Sequence, residues 1–137
     1  MDSVVRKGVA LIVIDQQKFL LLKHKKNGLW GFISGGIEPG ENSSAAVVRE
    51  AKEESGIDID KNKLISTEKT ISFVSSRGLG EQKVYLYRLI EPTDVAIDNN
   101  EISEFGWFQL EEAKKVLIPK QALIDTLSDL FGDSVCS

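Results

Sequence analysis

Glu50, Glu53 and Glu54 stand three and four residues apart. On a helix each residue turns by about 100°, so that spacing gathers the three carboxylates within an arc of about 100° on one face. Residues 42–55 read as such a helix. Asn42 or Ser43 can cap its start, the alanines and valines of 45–51 suit its interior, and Gly56 suits a left-handed C-terminal cap. Like charges at these spacings cost a few tenths of a kcal/mol per pair, and the negative end of the helix dipole adds to that cost. A purely structural helix would carry lysines there, so a merely solvated acidic face is opposed by both position and dipole. A hard divalent cation reverses the sign. Mg²⁺ or Mn²⁺ takes oxygen ligands and commonly uses a few carboxylates together with a substrate phosphate. The stretch 34–40, Ser-Gly-Gly-Ile-Glu-Pro-Gly, precedes the helix and allows close approach of backbone to a ligand. Taken alone it would be an ordinary glycine turn.

The charge of the whole chain points the same way. Among 137 residues there are 17 Lys and Arg and 21 Asp and Glu, a formal charge of −4. Between positions 38 and 60 lie seven acids and two bases, net −5, whereas the remainder carries 15 bases and 14 acids, net +1. The acidity therefore belongs to one loop-helix segment. The lack of a cationic excess argues against a protein that coats a nucleic-acid polymer.

Positioning these groups requires a scaffold. The apolar run 9–14 and the resumption at 19–22, with Asp-Gln-Gln-Lys between them, read as a hairpin over 8–23. The loop 23–28 is polar, 30–33 a short strand, and 34–40 a glycine-rich loop. After the helix, strands are expected at 64–75, 82–90 and 102–109, with Arg-Gly-Leu-Gly (77–80) joining the first two. Helices are expected at 110–117 and 120–131. This order predicts an α/β domain in which a mixed β-sheet is covered by α-helices. With 42% hydrophobic and 28% charged residues and no repeat or linker, residues 1–137 read as a single domain with a real core.

The lone cysteine, Cys136, excludes an internal disulfide framework and suits a reducing, cytoplasmic setting; it reads as a frayed tail residue. The run 9–14 is too short to cross a bilayer, and no signal-peptide cleavage pattern follows it, so no membrane partner is expected.

Gly35, Glu41 and then Arg49-Glu50-Ala51-Lys52-Glu53-Glu54-Ser55-Gly56-Ile57 together resemble the signature of the Nudix hydrolases, spanning 35–57. Every charged and glycine position of that signature is present at its spacing. Ala51 replaces a larger aliphatic residue, and Ser34 stands where relatives often have glycine. The hairpin before the signature, Trp30 just ahead of it, and the segment 101–108 after it extend the resemblance over nearly the whole chain. The resemblance implies a Nudix fold, a mixed sheet sandwiched between α-helices, and hydrolysis of a nucleoside diphosphate linked to another group. Carried over, Glu50, Glu53 and Glu54 would bind the metal, Arg49 would orient carboxylates, and Glu41 would support the site from behind. The carbonyl of Ser34 or Gly35 would add a ligand. Glu101, six residues before Trp107, matches the place of one further carboxylate in relatives, with Glu104 as the fallback.

Such a site would work on a polyanion through charge neutralisation. Bound cations neutralise the phosphate oxygens, and a carboxylate takes the proton of the attacking water. Glu53 and Glu101 are the first candidates for that base, with Glu50 also in play. Arg6, Lys23, His24, Lys25 and Lys26 are candidate phosphate contacts, though exposed loops are the plainer reading for most. Trp30, Phe32, Phe73 and Phe108 are candidates to stack a base, with core burial as the plainer alternative.

Several subfamily marks are missing, among them the downstream proline of ADP-ribose pyrophosphatases and the upstream motif of coenzyme A pyrophosphatases. Ser34-Gly35-Gly36 replaces the Lys-Gly-His of many dinucleoside tetraphosphate hydrolases. The chain then looks most like a MutT-like enzyme that takes a nucleoside triphosphate to the monophosphate and pyrophosphate. The alternatives are a dinucleoside polyphosphate hydrolase and a nucleotide-sensing module without catalysis. Isopentenyl diphosphate isomerase shares the fold but needs a catalytic cysteine and metal-binding histidines, and this chain has one His. Homodimers are common in the family.

Overall fold

The structure is a computed structural model and describes residues 5–75 and 78–132. Cys136, and the first residue of the expected 77–80 connection, lie outside the described residues. Among the described residues, seven strands and three α-helices follow in the order β1 (Arg6–Asp15), β2 (Lys18–His24), β3 (Trp30–Gly31), β4 (Ile33–Gly36), α1 (Ser43–Ser55), β5 (Ile65–Ser75), β6 (Gly78–Arg88), β7 (Ile102–Phe108), α2 (Leu110–Val116) and α3 (Gln121–Phe131). A short 3₁₀ turn, Lys61–Lys63, precedes β5.

β1 organises the sheet. Along one edge it runs parallel to β6, from Arg6 opposite Gly80 to Ile14 opposite Arg88. Along the other edge it meets β4 near its start and β2 at the hairpin end, both antiparallel. β2 then carries β3 on one side and β7 on the other, and β5 closes the far edge against β6. The sheet is therefore mixed, as expected.

Alternation along β1 explains why helices cover both faces. Val9, Leu11 and Val13 point into a cluster with Ala46, Val47 and Ala51 of α1. Ala10, Ile12 and Ile14 point into a second cluster with Ala113, Leu117 and Leu127 around α2 and α3. Successive side chains of a strand face opposite ways, so one uniformly apolar run serves two cores. Fully burying each valine, leucine or isoleucine of the run contributes roughly 1.5–3 kcal/mol.

The hairpin turns through Gln16 and Gln17, both left-handed at φ 49° and 70°. That pair matches the mirror-image two-residue turn that fits the strand twist. The helix caps are the expected ones. Asn42 accepts the N–H of Ala45 at 2.8 Å, and Gly56 ends α1 at φ 75° with its N–H on the Lys52 carbonyl. One expectation is corrected. Ser34, Gly35 and Gly36 are not loop but strand β4, paired with Ala10, Val9 and Gly8. The small residues there let the strand lie against α1. Among the described residues no helix is long and apolar enough to cross a membrane.

Candidate active site

The three glutamates of α1 share a face but not an environment. Glu54 is buried, at 7% exposure, and its Oε1 accepts the Ser34 backbone N–H at 3.1 Å. The Glu50 side chain is 13% exposed and that of Glu53 56% exposed. The gradient follows from helix packing: α1 rests on β4 through its inner face, and Glu53 lies at the outer rim of the acidic stripe.

Gly35 is what lets Glu50 in. A methyl built on Gly35 would lie 1.9 Å from Glu50 Oε2 and 2.7 Å from its Cγ, so only glycine admits the carboxylate against the strand. Gly8 plays a similar part on the other side: a methyl there would lie 2.7 Å from the Gly35 carbonyl oxygen. The Gly35 carbonyl is thus directed toward β1. In an extended strand the N–H and C=O of one residue point to the same side, and those of the next to the opposite side. Ser34, whose N–H goes to Glu54, consequently turns its carbonyl toward the carboxylates. Of the two backbone oxygens, that of Ser34 is the one on the acidic side.

Arg49 ties the acids together. Its Nε and Nη2 hold Glu41 in a two-point bridge at 2.9 Å each, Nη1 donates to Glu50 at 2.9 Å and to Glu53 at 3.3 Å, and Nη2 also donates to the Gly36 carbonyl at 2.8 Å. The planar fork suits such multiple bridging better than an ammonium could. The bonds from Arg49 hold the Glu41 carboxyl at about 2, and the Glu38 N–H assists. They also keep the Arg49 guanidinium firmly charged.

Burial pushes Glu54 up to about 8 against the opposing Ser34 hydrogen bond, and the charges of Glu50, Glu101 and Glu53 push in the same direction. Glu50 is raised by burial, with Arg49 opposing and Glu53 and Glu101 adding repulsion. Glu101 therefore belongs to this cluster in space although 47 residues separate it from Glu54 in sequence. It stands just before β7, its carbonyl accepting the Lys25 N–H at 2.8 Å. Glu104, the fallback, pairs with Lys23 instead.

These groups suit a hard divalent cation. The donors are all oxygens, and burial and like charge disfavour the ionised form of two of the carboxylates, Glu50 and Glu54, a cost a cation would relieve. Among the described residues no three acidic, histidine or cysteine side chains already converge at metal-binding spacing. Arg49 Nη1 stands between Glu50 and Glu53 and donates to both. The exposed Glu53 has room to reorient.

A cleft of about 480 Å³ adjoins this cluster, and Ser34 lines it. His24, Gly31, Phe32, Phe73 and Lys120 also line it. Of the substrate-contact candidates, His24, Phe32 and Phe73 line the cleft, Phe32 at only 2% exposure. Lys23, Trp30 and Arg6 do not line it. Lys23 is engaged by Glu104 at 3.5 Å, Trp30 meets Phe108 edge-on at 5.2 Å, and Arg6 is exposed on β1 opposite Gly80. Lys120 was not singled out by sequence reasoning. It stands 70 residues beyond Glu50, and only the return of α3 over the sheet brings it to the cleft. Its place at the entry to an amphipathic helix was the sole local signal.

The NUDIX domain model matches residues 4–127. The chain is 29% identical to the NAD-capped RNA hydrolase NudC of Vibrio atlanticus, over 93% of this chain and 47% of that protein. It is 32% identical to mRNA-decapping enzyme subunit 2 of Arabidopsis thaliana, over 73% of this chain and 27% of that one. The chain thus spans less than half the length of these curated relatives. Among solved structures it is similar to a C. elegans Ap4A hydrolase, with TM-score 0.78, 26% identity and coverage of 93% and 97% of the two chains. The E. coli dihydroneopterin triphosphate pyrophosphohydrolase shares the fold at TM-score 0.81, with 18% identity and coverage of 96% and 100%. With the matched model over most of its length and the signature residues gathered at one site, the chain belongs to the Nudix family.

Proposed function

We propose that the chain is a divalent-metal-dependent hydrolase of phosphoanhydrides. Its substrate is a nucleoside diphosphate linked to another group, in the first instance a nucleoside triphosphate giving the monophosphate and pyrophosphate. The observation that carries this reading is the pair of desolvated carboxylates, Glu50 and Glu54, within reach of the charge of the exposed Glu101 and beside a cleft of nucleotide size. Glu50, Glu53 and Glu54, with Glu101 and the Ser34 carbonyl, are the residues to hold Mg²⁺, or Mn²⁺ in its place. A cation held there supplies charge neutralisation, polarisation of the phosphoryl group and a more acidic water.

The chain's own residues do the rest. Arg49 fixes the Glu50 carboxylate and is itself fixed by Glu41, so the acidic face is held in place before substrate arrives. Glu101 is the better-placed proton acceptor: it is exposed, and its charge is felt by both Glu50 and Glu54. One of its carboxylate oxygens takes the proton of the attacking water. The water oxygen bonds to phosphorus, the bridging P–O bond breaks, and its electron pair leaves with the departing phosphate group. Glu53 is the competing base, but its Oε1 is engaged by Arg49 at 3.3 Å.

A second reading, hydrolysis of a dinucleoside polyphosphate, is favoured by the likeness to the C. elegans Ap4A hydrolase over 97% of that chain. A screen of nucleoside triphosphates, dinucleoside polyphosphates and nucleotide sugars, with and without Mg²⁺, separates the two readings. No Mg²⁺-dependent product from any of them would leave a nucleotide-sensing module as the alternative.

A further inference from the structure

The hydrolytic reading leaves one wall of the cleft unexplained. Lys120 reaches from the entry of α3 to lay its Nζ over Gly31: a methyl built on Gly31 would lie 2.9 Å from that nitrogen. The ammonium therefore rests on bare strand backbone within the cleft. Burial lowers its pKa, and among the described residues no neighbouring carboxylate raises it again. His24 lines the same cleft and is lowered by burial and by the Lys120 charge, with Glu101 opposing. Phe32, Ile71 and Phe73 supply apolar wall, and the Phe73 ring lies over Gly80, where a methyl would be 2.1 Å from it.

The Lys120 ammonium lines the cleft with three donors and no acceptor, so a ligand group that displaces its water has to present an acceptor. Aromatic and aliphatic walls disfavour a doubly charged phosphate but suit the faces of a flat heteroaromatic ring. We propose that this cleft takes the nucleobase, and that Lys120, seated over Gly31, selects bases whose facing edge carries a carbonyl oxygen over those with an amino group there. The proposal rests on the reading of the substrate as a nucleotide.

The test is binding of nucleoside monophosphates in EDTA, without turnover. IMP and AMP differ on the base by a carbonyl against an amino group at C6, and UMP and CMP differ in the same way at C4. Calorimetric titration is expected to show IMP bound about tenfold more tightly than AMP, and UMP more tightly than CMP. In Lys120→Met the preference collapses to about twofold or less. Gly31→Ala is the second variant. Its methyl contacts only the flexible end of Lys120 and, at 3.8 Å, the Leu123 side chain, so the charge stays, the fold stays and the ammonium moves. It should narrow the preference with little change in melting temperature. Equal binding of IMP and AMP, a preference unchanged in both variants, or no binding at millimolar ligand would overturn the proposal. Discrimination in binding without hydrolysis of any nucleotide would uphold this assignment and sink the hydrolase reading. Hydrolysis without base discrimination would do the opposite.

Discussion

Glu54→Gln in the metal-free protein gives a prediction whose size can be worked out. The folded carboxyl stands at about 8 against an ordinary value of 4.5, so its folded-state pKa is raised. For an acid, that means the folded state holds its proton over a range in which the unfolded chain has released it. Below the ordinary value both states are protonated and nothing is lost. As pH rises through the window from 4.5 to about 8, the folded state loses stability at up to about 1.4 kcal/mol per pH unit. Between about pH 5 and about pH 8 the loss comes to about 3–4 kcal/mol. The substituted amide keeps the shape and can still accept the Ser34 N–H, but it does not titrate. The difference in unfolding free energy, variant minus wild type, should therefore grow by up to that amount from about pH 5 to about pH 8. Taking the difference cancels the opposite slope of His24, which both proteins share. Urea unfolding in EDTA at several pH values measures it. With saturating Mg²⁺ the order should reverse at high pH, because the ionised carboxylate then has a partner. A pH-independent difference in EDTA would refute the claim that Glu54 is strained by desolvation and repulsion.

Three further expectations follow from particular contacts. Gly35→Ala places a methyl 1.9 Å from Glu50 Oε2, so that carboxylate must leave the strand; apparent Mn²⁺ affinity, followed by electron spin resonance, should fall by about tenfold or more, and unchanged affinity would count against Glu50 as a ligand. Arg49→Ala leaves Glu41, Glu50 and Glu53 without their shared partner and should cost roughly 1–3 kcal/mol in urea unfolding at neutral pH; a smaller loss would mean the bridges are solvent-screened. Asn42→Ala removes the cap on Ala45 N–H and should cost about 1 kcal/mol while leaving kcat at saturating Mg²⁺ near wild type; a large fall in kcat would show that the cap also positions the acidic face.

What the sequence made legible was local. Asn42, Gly56 and the spacing of Glu50, Glu53 and Glu54 are fixed by helix geometry, and all behave as read. The apolar run 9–14 announced a strand, although only the sheet reveals that its two faces feed separate cores. What stayed hidden depends on packing between distant segments. Three glutamates one turn apart look equivalent in sequence, yet contact with β4 buries Glu54 and leaves Glu53 in water. The glycines at 35 and 36 read as loop because glycine usually makes turns; here they are strand, and Gly35 is small for the sake of a carboxylate from another element. Lys23 and Trp30 looked available for substrate until their partners, Glu104 and Phe108, arrived from β7. Lys120 reaches the cleft through the return of α3, which no short-range pattern encodes.

The most direct test of the central claim is product analysis of nucleoside triphosphate hydrolysis by wild type and Glu54→Gln, each with EDTA and with Mg²⁺. The account predicts nucleoside monophosphate and pyrophosphate from wild type only with Mg²⁺, and a fall by orders of magnitude in a variant that remains folded. Turnover that survives EDTA, or that the variant supports at near wild-type rate under limiting Mg²⁺, would contradict it.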